Sequence, residues 1–239
     1  MFEFTPDVRT VLSAVERVRP SLIEETCCAS KQDWLIELKL FGYPMAVSAN
    51  GTIAEFRKKR SLELLTWLTL NRDRARRSTA RTAMWDLDVS DATFSTVVSD
   101  LRRALRDAVG EQGDFTLLPT TYSDDLPLSL LVTTDVERLH VEHLKFQETG
   151  LFTDELRGLL KGMRDIPLAG TSYSWADLDG TTTRLVMSAL AITTDVATVL
   201  IGKNELNSAS VAAMAGLRIF PGCEELLDLQ KKCLYRVQH

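Results

Sequence analysis

The sequence has little cysteine, little histidine and none of the short motifs that usually carry chemistry. Its four cysteines, Cys27, Cys28, Cys223 and Cys233, form no C-x-x-C pair. Neighbours such as Cys27 and Cys28 are poor disulfide partners, so the thiols are expected to sit idle in a reducing cytosol. No glycine-rich phosphate loop, no G-x-S-x-G elbow and no patterned Cys–His pair is present, which argues against an enzyme. His140 and His143 lie one helical turn apart with Glu142 between them, but spacing supplies no third ligand, so no metal and no cofactor is expected. By eye there is no apolar run of about 18 residues, so no membrane contact is expected from this segment. The N-terminal stretch has early acid and no apolar core of the kind found in signal peptides.

What is present is an ordinary globular balance, with 45% hydrophobic and 26% charged residues in 239. The net charge is −5, but it is unevenly spread. Between Arg57 and Arg81 nine basic residues face two acids, a local balance of +7. The stretches 1–56, 82–134 and 135–239 carry −3, −6 and −3. One basic island therefore sits in an acidic chain.

Periodicity divides the chain. Val8, Val11, Leu12, Val15 and Val18 form a helical stripe over 6–19 that Pro20 ends, and a second short helix fits 21–29. Alternation and the Asn50-Gly51 turn signal predict short antiparallel strands near 35–41, 45–48 and 52–56. Three helices follow: a leucine-rich one from about Arg57, a shorter one ending at Trp85 with Ser78 as its cap, and a third over 92–108 capped by Asp91. Phe115–Leu118 and Leu128–Thr133 then read as a hairpin. From Asp135 on, short-linked helices are predicted at about 135–148, 151–163, 179–201, 204–218 and 223–236. The small residues Ala209, Ala212, Ala213, Ala215 and Gly216 suit close helix stacking of the tetratricopeptide type. The fold class is thus mostly α with small antiparallel β elements: a winged helix-turn-helix domain at 34–134 after a helical extension at 1–33, then a tetratricopeptide-like helical domain at 135–239.

The stretch "ATFSTVVSDLRRALRD" carries the functional question. Phe94, Val97, Val98, Leu101, Ala104, Leu105 and Ala108 recur at three- and four-residue steps and make one buried stripe. The opposite face offers Thr96, Ser99 and Arg103, groups of a size to reach base edges, flanked by Asp100 and Asp107. Phosphate contacts are expected from Arg57, Lys58, Lys59, Arg60, Arg74, Arg76 and Arg77. Asp100 is expected to face the phosphates as well, so Asp100→Arg should tighten binding. The tryptophans Trp34, Trp67, Trp85 and Trp175 are read as core fillers, with a binding groove the other reading of Trp175.

"FRKKRSLELLTWLTLNRDRARRSTARTAMW" followed by "VVSDLRRAL" resembles the winged-helix part of regulators that carry a bacterial transcriptional activator domain. "TTDVERL", "PLAGTSYSWAD" and "AAMAGLRIFPGCEELLDLQKKCLY" resemble the helical domain that follows it in those proteins. The resemblance runs over roughly 35–236. It implies transcription regulation, with double-stranded DNA as one partner and RNA polymerase or another protein as the partner of the helical domain. "SYSWAD" is most similar to large actinobacterial proteins in which this pair ends a longer, in some cases membrane-attached, chain, so residues 1–239 are read as a fragment. Two departures stand out. Asp100 replaces a usual basic residue, and Glu111–Asp125, the wing, holds four acids and no base. They motivate the alternative, a protein–protein interaction module whose winged helix no longer reads DNA.

Overall fold

The computed structural model describes residues 34–110 and 116–237, without the side chains of 235–237, so the helices expected at 6–19 and 21–29 lie outside the described residues. Asp33–His239 forms one compact unit. It runs β1 (Ile36–Lys39), β2 (Met45–Ser48), α1 (Lys59–Leu70), α2 (Arg77–Met84), α3 (Asp91–Val109) and β3 (Val132–Thr134). Then come α4 (Asp135–Thr149), α5 (Asp154–Gly162), α6 (Ser174–Leu178), α7 (Thr181–Gly202), α8 (Leu206–Ile219) and α9 (Glu224–Val237). The protein is mostly helical, with a small sheet at the start of the described chain and helices after it.

The sheet has the order β2-β1-β3. β1 and β2 pair antiparallel, with Ile36 opposite Ser48, as alternation predicted. Two other β expectations are corrected. The strand expected at 52–56 is reduced to a single bridge between Val47 and Ile53. The wing hairpin is not formed among the described residues: Leu117 and Ser129 share one backbone hydrogen bond, and β3 instead pairs parallel with β1. The intervening chain is spent on other contacts. Leu117, Leu118 and Leu126 are buried, and Leu126 N–H donates to Ala75 O at 2.8 Å, so this stretch packs onto the helices.

α1 departs from a simple amphipathic pattern. Every residue from Ser61 to Thr69 is buried, because α2, α3 and β3 all pack around it. Two of its interior hydroxyls are satisfied within the helix, Thr66 Oγ1 donating to Leu62 O and Thr69 Oγ1 to Thr66 O, both at 2.9 Å. The helix caps also shift. α3 is capped by Ser90, whose Oγ accepts from Thr93 N, rather than by Asp91. Ser78 lies inside α2 and is not its cap.

The sheet and the later helices meet at Asp135. As the middle strand, β1 ends with two amides that the sheet does not use. The Asp135 carboxylate accepts them, from Leu40 N at 2.9 and 3.0 Å and from Phe41 N at 3.4 Å. Thr134 and Glu137 form a reciprocal capping box at the same helix start. The β1 extension also meets the 166–168 segment, where Leu168 N donates to Leu40 O at 2.9 Å. Arg138 pairs with both Glu37 and Glu155 and lies over the Trp34 ring at 4.9 Å, so β1 and α5 are joined through α4.

α7 is the centre of the helical stretch. It is 22 residues long and apolar enough, by length and composition, to cross a membrane, which the sequence does not show as an unbroken apolar run because Arg184, Asp195 and several threonines interrupt it. In this structure Leu185, Ala189, Ile192, Val196 and Leu200 face the protein core. α8 lies against both α7 and α9, and the short connections make each pair antiparallel. Gly216 permits the close approach: a Cβ there would collide with Thr193 Oγ1 and Leu226 Cδ1. Two histidines tie α4 to α7. His143 Nε2 lies 2.6 Å from Asp195 Oδ2, and His140 Nε2 lies 2.7 Å from Ser188 Oγ.

Gly216→Ala tests this packing. Thr193 is buried and rotamer-stiff, so the clash of roughly 1–3 kcal/mol should exceed the helix-propensity gain of about 1 kcal/mol. A lowered urea midpoint is expected, and an unchanged or raised one would show that the helices can part at no cost.

Asp135 predicts a pH dependence. Burial pushes its carboxyl up to about 7, against the opposing pull of the Leu40 and Phe41 amides. The unfolded chain releases that proton near pH ~3.9. Between about pH 4 and pH 7 the folded state therefore holds a proton the unfolded state has lost, and stability falls as pH rises through that window. Asp135→Asn should flatten this fall in urea titrations at successive pH values. An equally steep fall in the variant would assign the effect to other groups.

Candidate nucleic-acid interface

The basic island does not stay a free patch once folded, because acids from other parts of the sequence return to it. Arg76 Nε lies 4.0 Å from Asp125 Oδ1. Arg81 binds Asp91, Asp88 and Val89 O, clamping the turn between α2 and α3. Arg72 reaches Leu128 O and Ser129 O, bonds Val132 O, and lies 3.5 Å from Glu137. Arg60 pairs with Glu63 at 2.6 Å and stands over the Trp85 ring at 5.3 Å. Arg74 bonds Asn71 Oδ1, and Arg77 lies half-buried over the Phe94 ring at 5.9 Å. Arg57, Lys58 and Lys59 remain exposed and make no side-chain ion pair among the described residues.

These three enter α1 beside α3. On α3 the sequence face is confirmed as a surface: Thr96 and Ser99 are exposed, while Phe94, Val97, Val98 and Leu101 are buried. Thr96 Oγ1 donates to Ala92 O at 2.7 Å. The expected position of Asp100 is corrected. It is buried at 7% exposure and points at the start of α1, not outward. Its Oδ2 accepts Lys58 N–H at 3.1 Å and its Oδ1 accepts Arg103 Nη2 at 2.8 Å. Burial pushes its carboxyl up, but hydrogen bonds from Arg103, Ser61 and Lys58 outweigh this and leave it below the ordinary value. Arg103 is half-buried and occupied: it holds Asp100, Asp107 and Glu55 O.

Apart from Arg60, held by Glu63 over the Trp85 ring, the predicted residues fall into two places. Arg57, Lys58, Lys59, Thr96, Ser99 and Arg103 come together around the α1–α3 contact. Arg74, Arg76 and Arg77 gather at the start of α2, against the loop that holds Asp124 and Asp125. That loop has a structural use for its acids. Asp124 accepts Ser78 N–H at 3.0 Å and bonds the Ser78 hydroxyl, closing the exposed amides of α2. Sequence reasoning passed over Arg102, which donates to Leu118 O and Pro119 O at 2.8 Å and anchors the loop after α3. Its place at the edge of the buried stripe, one step from Leu101, was the available signal.

The other face of α1 meets α6. Trp175 is buried, stacked on Tyr173 with centroids 5.9 Å apart, and lies against Glu63. Trp175 is thus a core residue. Burial raises the Glu63 carboxyl, with Arg60 and Trp175 partly offsetting it. Among the described residues no group of three or more metal-ligating side chains occurs.

No family model matches the chain, and no curated protein matches it. Among solved structures, one similar chain is Mycobacterium tuberculosis EmbR, in complex with a low affinity phosphopeptide. It is 17% identical with a TM-score of 0.45, covering 84% of this chain. This chain spans 65% of that one's length. A likeness at that level identifies neither a family nor an activity.

Arg81→Ala is expected to loosen the α2–α3 turn. It removes a half-buried guanidinium bound to a backbone carbonyl and two aspartates, for a loss of about 1–2 kcal/mol. Faster amide exchange confined to residues near 85–91 would confirm the clamp. Unaltered exchange there would show that the turn holds itself.

Proposed function

We propose that this chain is a DNA-binding transcription regulator that lays α3 against duplex DNA, with the helices from α4 onward serving a protein partner such as RNA polymerase. The observation that carries this reading is the exposed trio Arg57, Lys58 and Lys59 beside the outward Thr96 and Ser99 of α3, with Asp100 turned inside. Phosphate contacts give affinity and register, and short hydroxyls can approach base edges without long flexible stems. The resemblance to regulators with a bacterial transcriptional activator domain supports the same reading, and a cytosolic setting is part of what is proposed. It invokes no cofactor and no metal.

The alternative, a protein–protein interaction module with a retained but unused winged helix, is favoured by one observation: Arg76, Arg81 and Arg103 are already paired with acids. A salt-dependent shift assay on mixed-sequence duplex separates the two. Binding at about 50 mM salt that weakens steeply by about 200 mM is expected for the first. Replacing Arg57, Lys58 and Lys59 together with Ala should flatten the log–log salt slope by roughly 2 to 3. Replacing Arg76 and Arg77 should flatten it by less than about 1, since one is paired and the other lies over a ring. Absence of binding even at low salt would give the interaction module the lead.

A further inference from the structure

The segment that enters α1 is fastened to α3 at several points. Arg103 Nη2 donates to Glu55 O at 3.1 Å and to Asp100 Oδ1 at 2.8 Å. Asp100 Oδ2 accepts Lys58 N–H at 3.1 Å. Three residues on, Ser61 Oγ donates to Val97 O at 3.1 Å. Lys58 is the N-cap of α1, its side chain caps nothing, and the first turn holds no acid. In a self-contained helix a Glu or Gln three residues past the cap would reach back to the cap N–H. Here that position is Ser61, which is turned to α3, and Asp100 supplies the missing carboxylate from the neighbouring helix.

The three exposed cations ride on this pinned segment. An unpinned segment would hold the cations at no fixed distance from α3, so a duplex seated on α3 would seldom meet them, and engaging them would cost the ordering of the segment. A pinned trio holds a fixed offset from the face that carries Thr96 and Ser99. We propose that Asp100 is a positioning residue for duplex binding: by holding the Lys58 N–H on α3, it makes the cations at Arg57, Lys58 and Lys59 and the outer face of α3 engage one duplex as a unit. This reverses the expectation that Asp100→Arg would tighten binding, because a guanidinium cannot accept the Lys58 N–H. The proposal rests on the DNA-binding reading above.

The test compares salt slopes on one mixed-sequence duplex. Asp100→Ala should flatten the slope by about 2 to 3, as much as replacing the trio with Ala. Adding the trio substitution to Asp100→Ala should then change the slope little further, since the two act through the same contacts. A merely structural role would lower the folded fraction and weaken binding at every salt concentration, leaving the slope as it was. Asp100→Asn, whose amide oxygen still accepts an N–H, should keep the slope within about 1. A second pair leaves Asp100 in place, should its loss prevent folding. Lys58→Ala removes one cation, whereas Lys58→Pro removes the same cation and the N–H and draws φ at the cap from −124° toward about −65°, so circular dichroism first checks that both variants fold alike. Lys58→Pro should flatten the slope by at least 1 more than Lys58→Ala. Equal slopes for that pair, or an unchanged slope in folded Asp100→Ala, would overturn the positioning role while the DNA-binding reading stood. Failure of the unaltered protein to bind at about 50 mM salt would overturn both.

Discussion

Backbone amides at the ends of strands and helices must find acceptors, and in this protein aspartates distant in sequence supply them. Asp135 serves the end of β1, Asp100 serves the start of α1, and Asp124 serves the start of α2. Each carboxylate takes an N–H that its own segment leaves unsatisfied, where an orphaned group would cost roughly 1–3 kcal/mol. Removing any of them does more than delete a contact. It unfastens the segment whose end it holds, and with it whatever side chains that segment presents.

The same constraint explains where the charge went. Along the chain the basic island and the −6 stretch after it look like opposite poles. In space they interleave, with Asp88 and Asp91 on Arg81, Asp125 by Arg76 and Asp100 on the Lys58 amide. Two of the wing's acids have a structural use: Asp124 closes the start of α2 and Asp125 lies by Arg76, and Leu117, Leu118 and Leu126 are drawn inward, so among the described residues this stretch packs onto the helices instead of pairing as a hairpin. A wing replaced by a helix-capping loop is one physical account of why β3 pairs with β1 alone.

What was legible in the sequence was periodic. The stripe from Phe94 to Ala108 gave the apolar burial of α3 but not that of Asp100, and the stripes after Asp135 located each of the longer helices to within a few residues. Strands 36–39 and 45–48 followed from alternation. What was not legible came from contacts across long sequence distances. Asp100 sits 42 positions from Lys58, and no local rule separates a carboxylate that caps another helix from one that faces solvent. On a helical wheel it neighbours Arg103, which is why it looked outward. Its burial depends on where α1 begins. Asp135 reaches Leu40 over 95 positions, again beyond any window. The five-residue α6 was missed because it is too short to show a period.

The net charge of −5 appeared to weigh against a polyanionic partner, but it is not the quantity a duplex would meet. At physiological salt the Debye length is about 8 Å, while a unit of about 200 residues has a radius of gyration near 17 Å. Acids on faces turned away from the trio are therefore screened from a phosphate touching Arg57 or Lys59. Acids close to the trio act differently. Asp100 and Asp107 are both engaged by Arg103, and Arg106 also reaches Asp107, so two guanidiniums balance the two carboxylates. What remains near the α1 start is a small cluster of positive charge with no ion pair among the described residues, two residues from the exposed Glu55 and beside the hydroxyl face of Thr96 and Ser99. Such a surface attracts phosphates over one or two Debye lengths and reads by short contact. Its attraction must weaken with salt, because every one of these cations is exposed, and three phosphate contacts set their share of the log–log slope at roughly 2 to 3.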